Sequence, residues 1–208
     1  MPLTRWHRPC LVQAFAAVCT MACAMGMPNS VALAQPVSGV PQAGFVLNGE
    51  KALNVLTRDG RAHRLGSVVF ESLPSGRTRF AVKMDHSILQ DFFLSMREFK
   101  CLPAEAEVTC VVPYPYAHPG TIAPGELVCL EHNLLFLFKQ PRDFGAKLWN
   151  GMIFRLTPTA KGFVGSPQGV DLNDISAPPD DLSKPPYDQF DRTDFAPGER
   201  WVSELRIE

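Results

Sequence analysis

The 208-residue sequence lacks the short motifs that mark the common catalytic systems. It has no G-x-S-x-G elbow and no S-x-x-K, which removes the familiar serine nucleophiles. It has no H-E-x-x-H, no C-x-x-C and no glycine-rich phosphate loop, so zinc hydrolase, dithiol and nucleotide readings find no support. The histidines beyond residue 34 (His63, His86, His118 and His132) are not paired at metal-ligand spacing. Asp171-Leu172-Asn173-Asp174 opens like a calcium loop, but the following glycine and the distant glutamate are missing. Turn and cap chemistry explains that stretch better. No metal and no cofactor are expected. Positive charge is not in excess either. Twenty Lys/Arg stand against 21 Asp/Glu, a net charge of −1, and a general nucleic-acid binder would be basic. Long apolar runs are missing after residue 34. The longest, Leu127 to Phe138, is broken by Glu131, His132 and Asn133 and falls short of the ~20 residues that a spanning helix needs.

The start of the chain is different. Arg5 and Arg8 precede an apolar stretch from Leu11 to Met27, then Pro28-Asn29-Ser30, then Ala32-Leu33-Ala34. A positive region, an apolar region and an A-x-A site are the three zones of a cleavable secretory signal. Residues 1–34 are therefore expected to be a signal peptide, 35–44 a flexible lead-in and 45–208 a single domain of a periplasmic protein. A retained anchor is the rival reading; Gln13, Thr20 and the intact cleavage site argue against it. A lipoprotein acylated at Cys23 is the other, although Thr20 stands where a lipobox has leucine. Cleavage would leave about 174 residues, enough to bury a core without staples, at a net charge near −3.

Three of the six cysteines lie beyond the signal: Cys101, Cys110 and Cys129. Export would place them in an oxidising compartment. Cys101 and Cys110 bracket a short acidic loop between apolar runs, so a disulfide is expected there. Its closure of a ten-residue loop stabilises by about 2.7 kcal/mol in the chain-entropy model. Cys129 is left as a buried free thiol, with pairing between two chains as the alternative, and has His132 at i+3 as a neighbour on a helix face.

Proline is frequent, with 19 residues, which lowers the expected helix content. Ala62–Glu71 and Arg77–Met84 read as a hairpin around Leu73-Pro74-Ser75-Gly76. Within the second strand Thr78, Phe80, Val82 and Met84 share one face, and Arg77, Arg79, Ala81 and Lys83 the other. Phe45–Arg58 is ambiguous. Asp91–Leu94 fits a helical turn, with strand character near Phe99, and Thr109–Val112 is a short strand. Leu127, Leu130, Leu134, Leu135 and Phe138 recur at helical spacing after Pro124, so one clear α-helix is expected to run up to Pro141. Further strands are expected at 151–156, 163–172 and 201–207, with a Pro/Asp-rich excursion at 174–200. The expected class is α+β: mainly antiparallel hairpins with one helix.

Charge is unevenly spread. Residues 51–100 hold nine Lys/Arg against five Asp/Glu, and residues 171–208 hold ten Asp/Glu against four Lys/Arg. The candidate binding residues are Arg77, Arg79 and Lys83, with Arg61 and Arg64 near them, as a cationic strand face for an anionic envelope polymer. Tyr114, Tyr116 and His118 add a stiff extended segment suited to recognition. A solvated sheet face and a structural aromatic cover are the plain alternatives.

Phe92–Cys101 (FFLSMREFKC), Cys110–Tyr116 (CVVPYPY), Phe144-Gly145, Trp149-Asn150-Gly151 and Ala177-Pro178-Pro179-Asp180 together resemble a group of uncharacterised exported proteins of proteobacteria. The likeness covers about residues 90–208. It implies export and carries no site residue with it.

The leading functional expectation is a non-enzymatic periplasmic protein that binds an anionic polymer or another envelope protein. The alternative is an envelope hydrolase or transferase whose site is assembled from distant residues, such as His118, Asp143 and Cys129, converging in one pocket. A purely structural domain is the third reading.

Overall fold

Alternation of apolar and polar side chains governs most of the chain, and it builds strands. A computed structural model describes residues 47–94, 97–182 and 185–208. The expected signal peptide, its cleavage site, Cys23 and the lead-in lie outside these residues. The strands are β1 (Gly49–Thr57), β2 (Ala62–Ser72), β3 (Thr78–Met84), β4 (Gln90–Leu94), β5 (Arg97–Leu102), β6 (Val108–Val112), β7 (Thr121–Ile122), β8 (Leu135–Lys139), β9 (Gly151–Pro158), β10 (Phe163–Val170), β11 (Thr193–Asp194) and β12 (Val202–Ile207). One short helix, α1 (Val128–His132), stands between β7 and β8. All twelve strands belong to one antiparallel sheet, ordered β4-β5-β6-β8-β9-β10-β12-β1-β2-β3-β7, with β11 paired to β10. The last strand joins two hairpin groups, because β12 pairs with both β1 and β10.

The β2–β3 hairpin forms as its pattern dictates, with Phe70 opposite Phe80 and Glu71 opposite Arg79. Gly76 closes its turn at φ 78°, a conformation that costs glycine little. Two local expectations are corrected. Asp91–Leu94 is a strand paired with β5, not a helical turn. The helix expected through to Pro141 is only five residues long, and Leu135–Lys139 is β8. The class is therefore mainly β.

The physical reason for the lost helix is burial on two faces. A surface helix buries a single stripe. Leu134-Leu135-Phe136-Leu137 is apolar at every position, and the fold buries all four side chains. Leu134 and Phe136 enter one cluster with Leu53, Leu65, Phe154 and Leu205. Leu135 and Leu137 enter another with Ile153, Val170 and the cysteines. A doubly buried strand satisfies a continuous apolar run that helical spacing would half expose. Full burial of each such side chain stabilises by roughly 1.5–3 kcal/mol. Pro124 does not start a helix either. Pro124-Gly125 forms a tight turn between Ala123 and Glu126, with Gly125 at φ 80°.

The first cluster draws on both hairpin groups, so the sheet folds back over its own inner face. The residual gap between Val55, Leu65, Leu102 and Phe154 is about 10 Å³, at the lower limit for a single water. The second cluster lies on the outer face of β5, β6, β8 and β9 and is roofed by Leu172 and by Ile175 and Tyr187 of the Pro/Asp-rich excursion. Cys101 and Cys110 are register partners on β5 and β6, and they form the expected disulfide within this second cluster.

Candidate functional site

The segment 113–120 is kept out of helix by Pro113, Pro115 and Pro119. It runs toward the exposed edge of β3, where Phe80 N–H donates to the Gly120 carbonyl at 3.0 Å and β7 pairs with β3. Its three ring-bearing residues take different roles. Tyr116 donates its hydroxyl to the Ile175 carbonyl at 2.9 Å and packs against the second core cluster. Tyr114 meets Tyr116 edge-on at 5.7 Å and stands 6.2 Å from the His118 ring. His118 stacks on Phe80, with ring centroids 6.0 Å apart and planes within 10°.

After the Pro124-Gly125 turn, α1 brings Cys129 back to this segment. Its Sγ lies 3.3 Å from His118 Nδ1. Gly120 N–H donates to the same Nδ1 at 3.0 Å, so the ring proton belongs on Nε2 and the single Nδ1 lone pair is shared between the Gly120 N–H and the thiol. Burial pushes the Cys129 thiol above its ordinary value; the backbone N–H groups of Gly120 and Thr121, and then Arg77, pull the other way. At rest the sulfur therefore keeps its proton. The cysteine expected to sit in the core is half-buried and forms no disulfide, and its imidazole neighbour is His118 rather than His132.

Tyr114, His118, Thr121 and Cys129 line an open cleft of about 280 Å³, and Tyr116 does not. Arg77 stands at its rim, donating to Thr121 Oγ1 at 3.0 Å and to Glu126 Oε2 at 2.9 Å. Tyr114, Leu182, Pro185 and Pro186 supply apolar wall. His132 lines the cleft but is itself 97% buried, and its Nε2 has no hydrogen-bond partner among the described residues. Burial first, then the nearby Arg192 cation, holds its pKa down to about 4, so it is neutral at pH 7. Its ring stacks on that of Tyr187 at 5.6 Å. Three of the candidate binding residues thus converge here: Arg77, Tyr114 and His118. Glu126, Thr121 and His132 join them without any motif to announce them.

No protein-family model, no curated protein and no solved structure matches this chain.

The remaining candidates lie elsewhere. Arg79 forms a cross-strand ion pair with Glu71 at 2.8 Å, and Lys83 is exposed further along β3. Arg61 pairs with Asp59 at 3.3 Å, and Arg64 Nε donates to the Gly66 carbonyl at 3.4 Å. Three of the five cations are thus already matched by carboxylates: Arg61 by Asp59, Arg79 by Glu71 and Arg77 by Glu126. Asp143 is not part of the cleft. It lines a separate charged cleft with Glu107, Lys139, Lys147 and Arg200, so the three-residue arrangement of His118, Asp143 and Cys129 does not form. In that second cleft the Arg200 guanidinium is 4.0 Å from the Phe138 ring centroid and 4.9 Å from that of Phe195. Burial pushes the Glu107 carboxyl up, against the pull of Arg200 at 3.4 Å. Among the described residues no group of three His, Cys, Asp or Glu side chains could hold a metal ion.

Proposed function

We propose that the protein is exported to the periplasm and works there as a binding module, its cleft taking a small ligand that combines an anionic group, a hydrogen-bond donor and a flat apolar part. The observation that carries this reading is a cleft that gathers Arg77, Tyr114, His118 and neutral His132, whose buried Nε2 has no partner among the described residues. A buried acceptor left unpaired costs roughly 1–3 kcal/mol, and a ligand N–H or O–H would recover it. Arg77 suits a carboxylate or phosphate, and Tyr114 with Leu182, Pro185 and Pro186 suits a ring or short chain. An anionic envelope polymer would engage the cleft through an end group or side branch that displaces the exposed Glu126 from Arg77, because further along the strand Arg79 is paired with Glu71. The signal-like start and the likeness to exported proteobacterial proteins support the address. The disulfide is consistent with an oxidising, non-cytoplasmic compartment. No helix among the described residues is long and apolar enough to cross a membrane.

N-Benzoylglycine carries a carboxylate, an amide donor and a ring, and calorimetric titration with it tests the reading. Saturable binding is expected. Arg77→Ala should weaken it about 10-fold or more, the size of a lost charge-assisted hydrogen bond, and His132→Phe should weaken it as well, with melting curves as the folding control. Absence of binding, or equal affinity in both variants, would remove the proposal.

A further inference from the structure

We propose that Cys129 is the nucleophile, and His118 Nδ1 its general base, of an acyl transfer in this cleft. The inference rests on the binding reading for its substrate: a small ester or thioester whose acyl part carries the anionic group and donor described above.

The first support is geometry. The thiol and an accepting imidazole nitrogen stand 3.3 Å apart, although they come from segments held by different constraints: a proline-stiffened stretch on the β3 edge and a five-residue helix. A packing cysteine needs no such neighbour. The His118 ring is held in place by its stack on Phe80, and its tautomer by Gly120 N–H. Thr121 N–H, and Gly120 N–H once Nδ1 is protonated and no longer accepts from it, would stabilise the thiolate as the proton leaves.

The second support is independent of the pair. The space beside it is a cleft of about 280 Å³ lined also by Arg77, Thr121 and His132, so a polar molecule fits next to the sulfur. Dithiol chemistry is not served here, because the two other cysteines described, Cys101 and Cys110, are fully buried and joined to each other.

The step balances with no further reagent. The Cys129 S–H proton passes to His118 Nδ1 as Sγ bonds to the acyl carbon. The bond from that carbon to the leaving oxygen or sulfur breaks, and the leaving group takes the proton from Nδ1. An S-acyl cysteine remains. A water or an alcohol then gives its proton to Nδ1 while its oxygen bonds to the acyl carbon, and Cys129 departs and recovers the proton. With water the sum is ester plus water to acid plus alcohol.

The full chain as purified should be mixed with 4-nitrophenyl acetate, with nitrophenolate release followed by absorbance and the acyl site located by peptide mass spectrometry. One acetyl group on Cys129 is expected. Cys129→Ala should abolish that adduct, and His118→Asn should slow acylation by about 100-fold or more. Exogenous imidazole should restore part of the rate in His118→Ala, which a merely structural role would not allow. If a variant fails to melt cooperatively, protection of wild-type Cys129 from acetylation by N-benzoylglycine replaces it. Acetylation confined to lysines, an unchanged rate in folded His118→Asn, or no protection although N-benzoylglycine binds would overturn the inference. Binding of N-benzoylglycine without Cys129 acylation sinks the nucleophile alone. Acylation without that binding sinks the ligand reading and leaves the nucleophile standing.

Discussion

His132 concentrates the electrostatic tension of the cleft. Its ring faces Tyr114 and Tyr187, with the Val128 carbonyl, Arg192 and His118 as the polar groups around it. Of these only the carbonyl favours the proton; burial, Arg192 and His118 oppose it. The ring titrates near 6.5 when the chain is unfolded and near 4 when it is folded. Between those values the unfolded chain binds the extra proton. The contribution to stability is thus complete above pH 6.5 and is lost as pH falls through 4, by about 3 kcal/mol at about 1.4 kcal/mol per pH unit. Glu107 has the opposite sign: its raised pKa adds stability at low pH that is lost as pH rises through the folded value. Urea unfolding of wild type and His132→Phe at pH 7 and pH 4 checks the histidine. The wild type should lose the larger part of its stability over that interval, and the variant should show a shallower slope. Parallel slopes would mean that His132 is solvated.

Among the elements, the hairpins were the legible part. Strict alternation from Thr78 to Met84 and turn chemistry at 73–76 specify β2 and β3 locally, and the structure pairs them in that register. The 124–138 stretch was not legible in the same way. Its leucine spacing fits a helix by period, and only burial on both faces makes β8 the better solution. The β9–β10 hairpin carries a constraint of another kind. A Cβ at Gly162 would stand 1.8 Å from the Ile207 carbonyl oxygen, because the turn passes directly against the end of β12. Gly162→Ala should push β12 away from β10 and cost about 3 kcal/mol, the upper part of the range for overpacking that moves backbone. A urea midpoint lowered with an unchanged slope is the expected readout, and a wild-type midpoint would show that the turn yields freely.

For the molecule as a whole, the Pro/Asp-rich excursion is the unexpected contributor. Composition marks 174–200 as irregular, and largely it is, yet Tyr187 is fully buried and donates to the Asp171 carbonyl at 2.8 Å. Arg192 and Glu131 form an ion pair at 2.7 Å, each with less than a tenth of its side chain exposed, and Glu131 Oε1 also accepts the Leu156 N–H at 2.8 Å. One buried pair therefore ties the excursion, α1 and β9 together, and α1 holds Cys129. Arg192→Met leaves the Glu131 charge buried without its partner and should cost about 3–5 kcal/mol. It should also loosen α1, so alkylation of Cys129 by iodoacetamide should accelerate in the same variant. Unchanged stability would show that water reaches Glu131.

The sequence alone determined what depends on near neighbours. Period-two alternation, turn residues at fixed offsets and two cysteines bracketing a short loop each act within about a dozen residues, so the β2–β3 hairpin and the Cys101–Cys110 bridge could be read directly. The tertiary structure alone decided what depends on distant partners. Leu135–Lys139 became a strand because two core clusters needed its two faces. Arg77 was drawn from a cationic strand face into ion pairing with Glu126, and His118 rather than His132 met Cys129. Such choices follow from burial and from charge pairing across the folded sheet, and neither is written into local spacing.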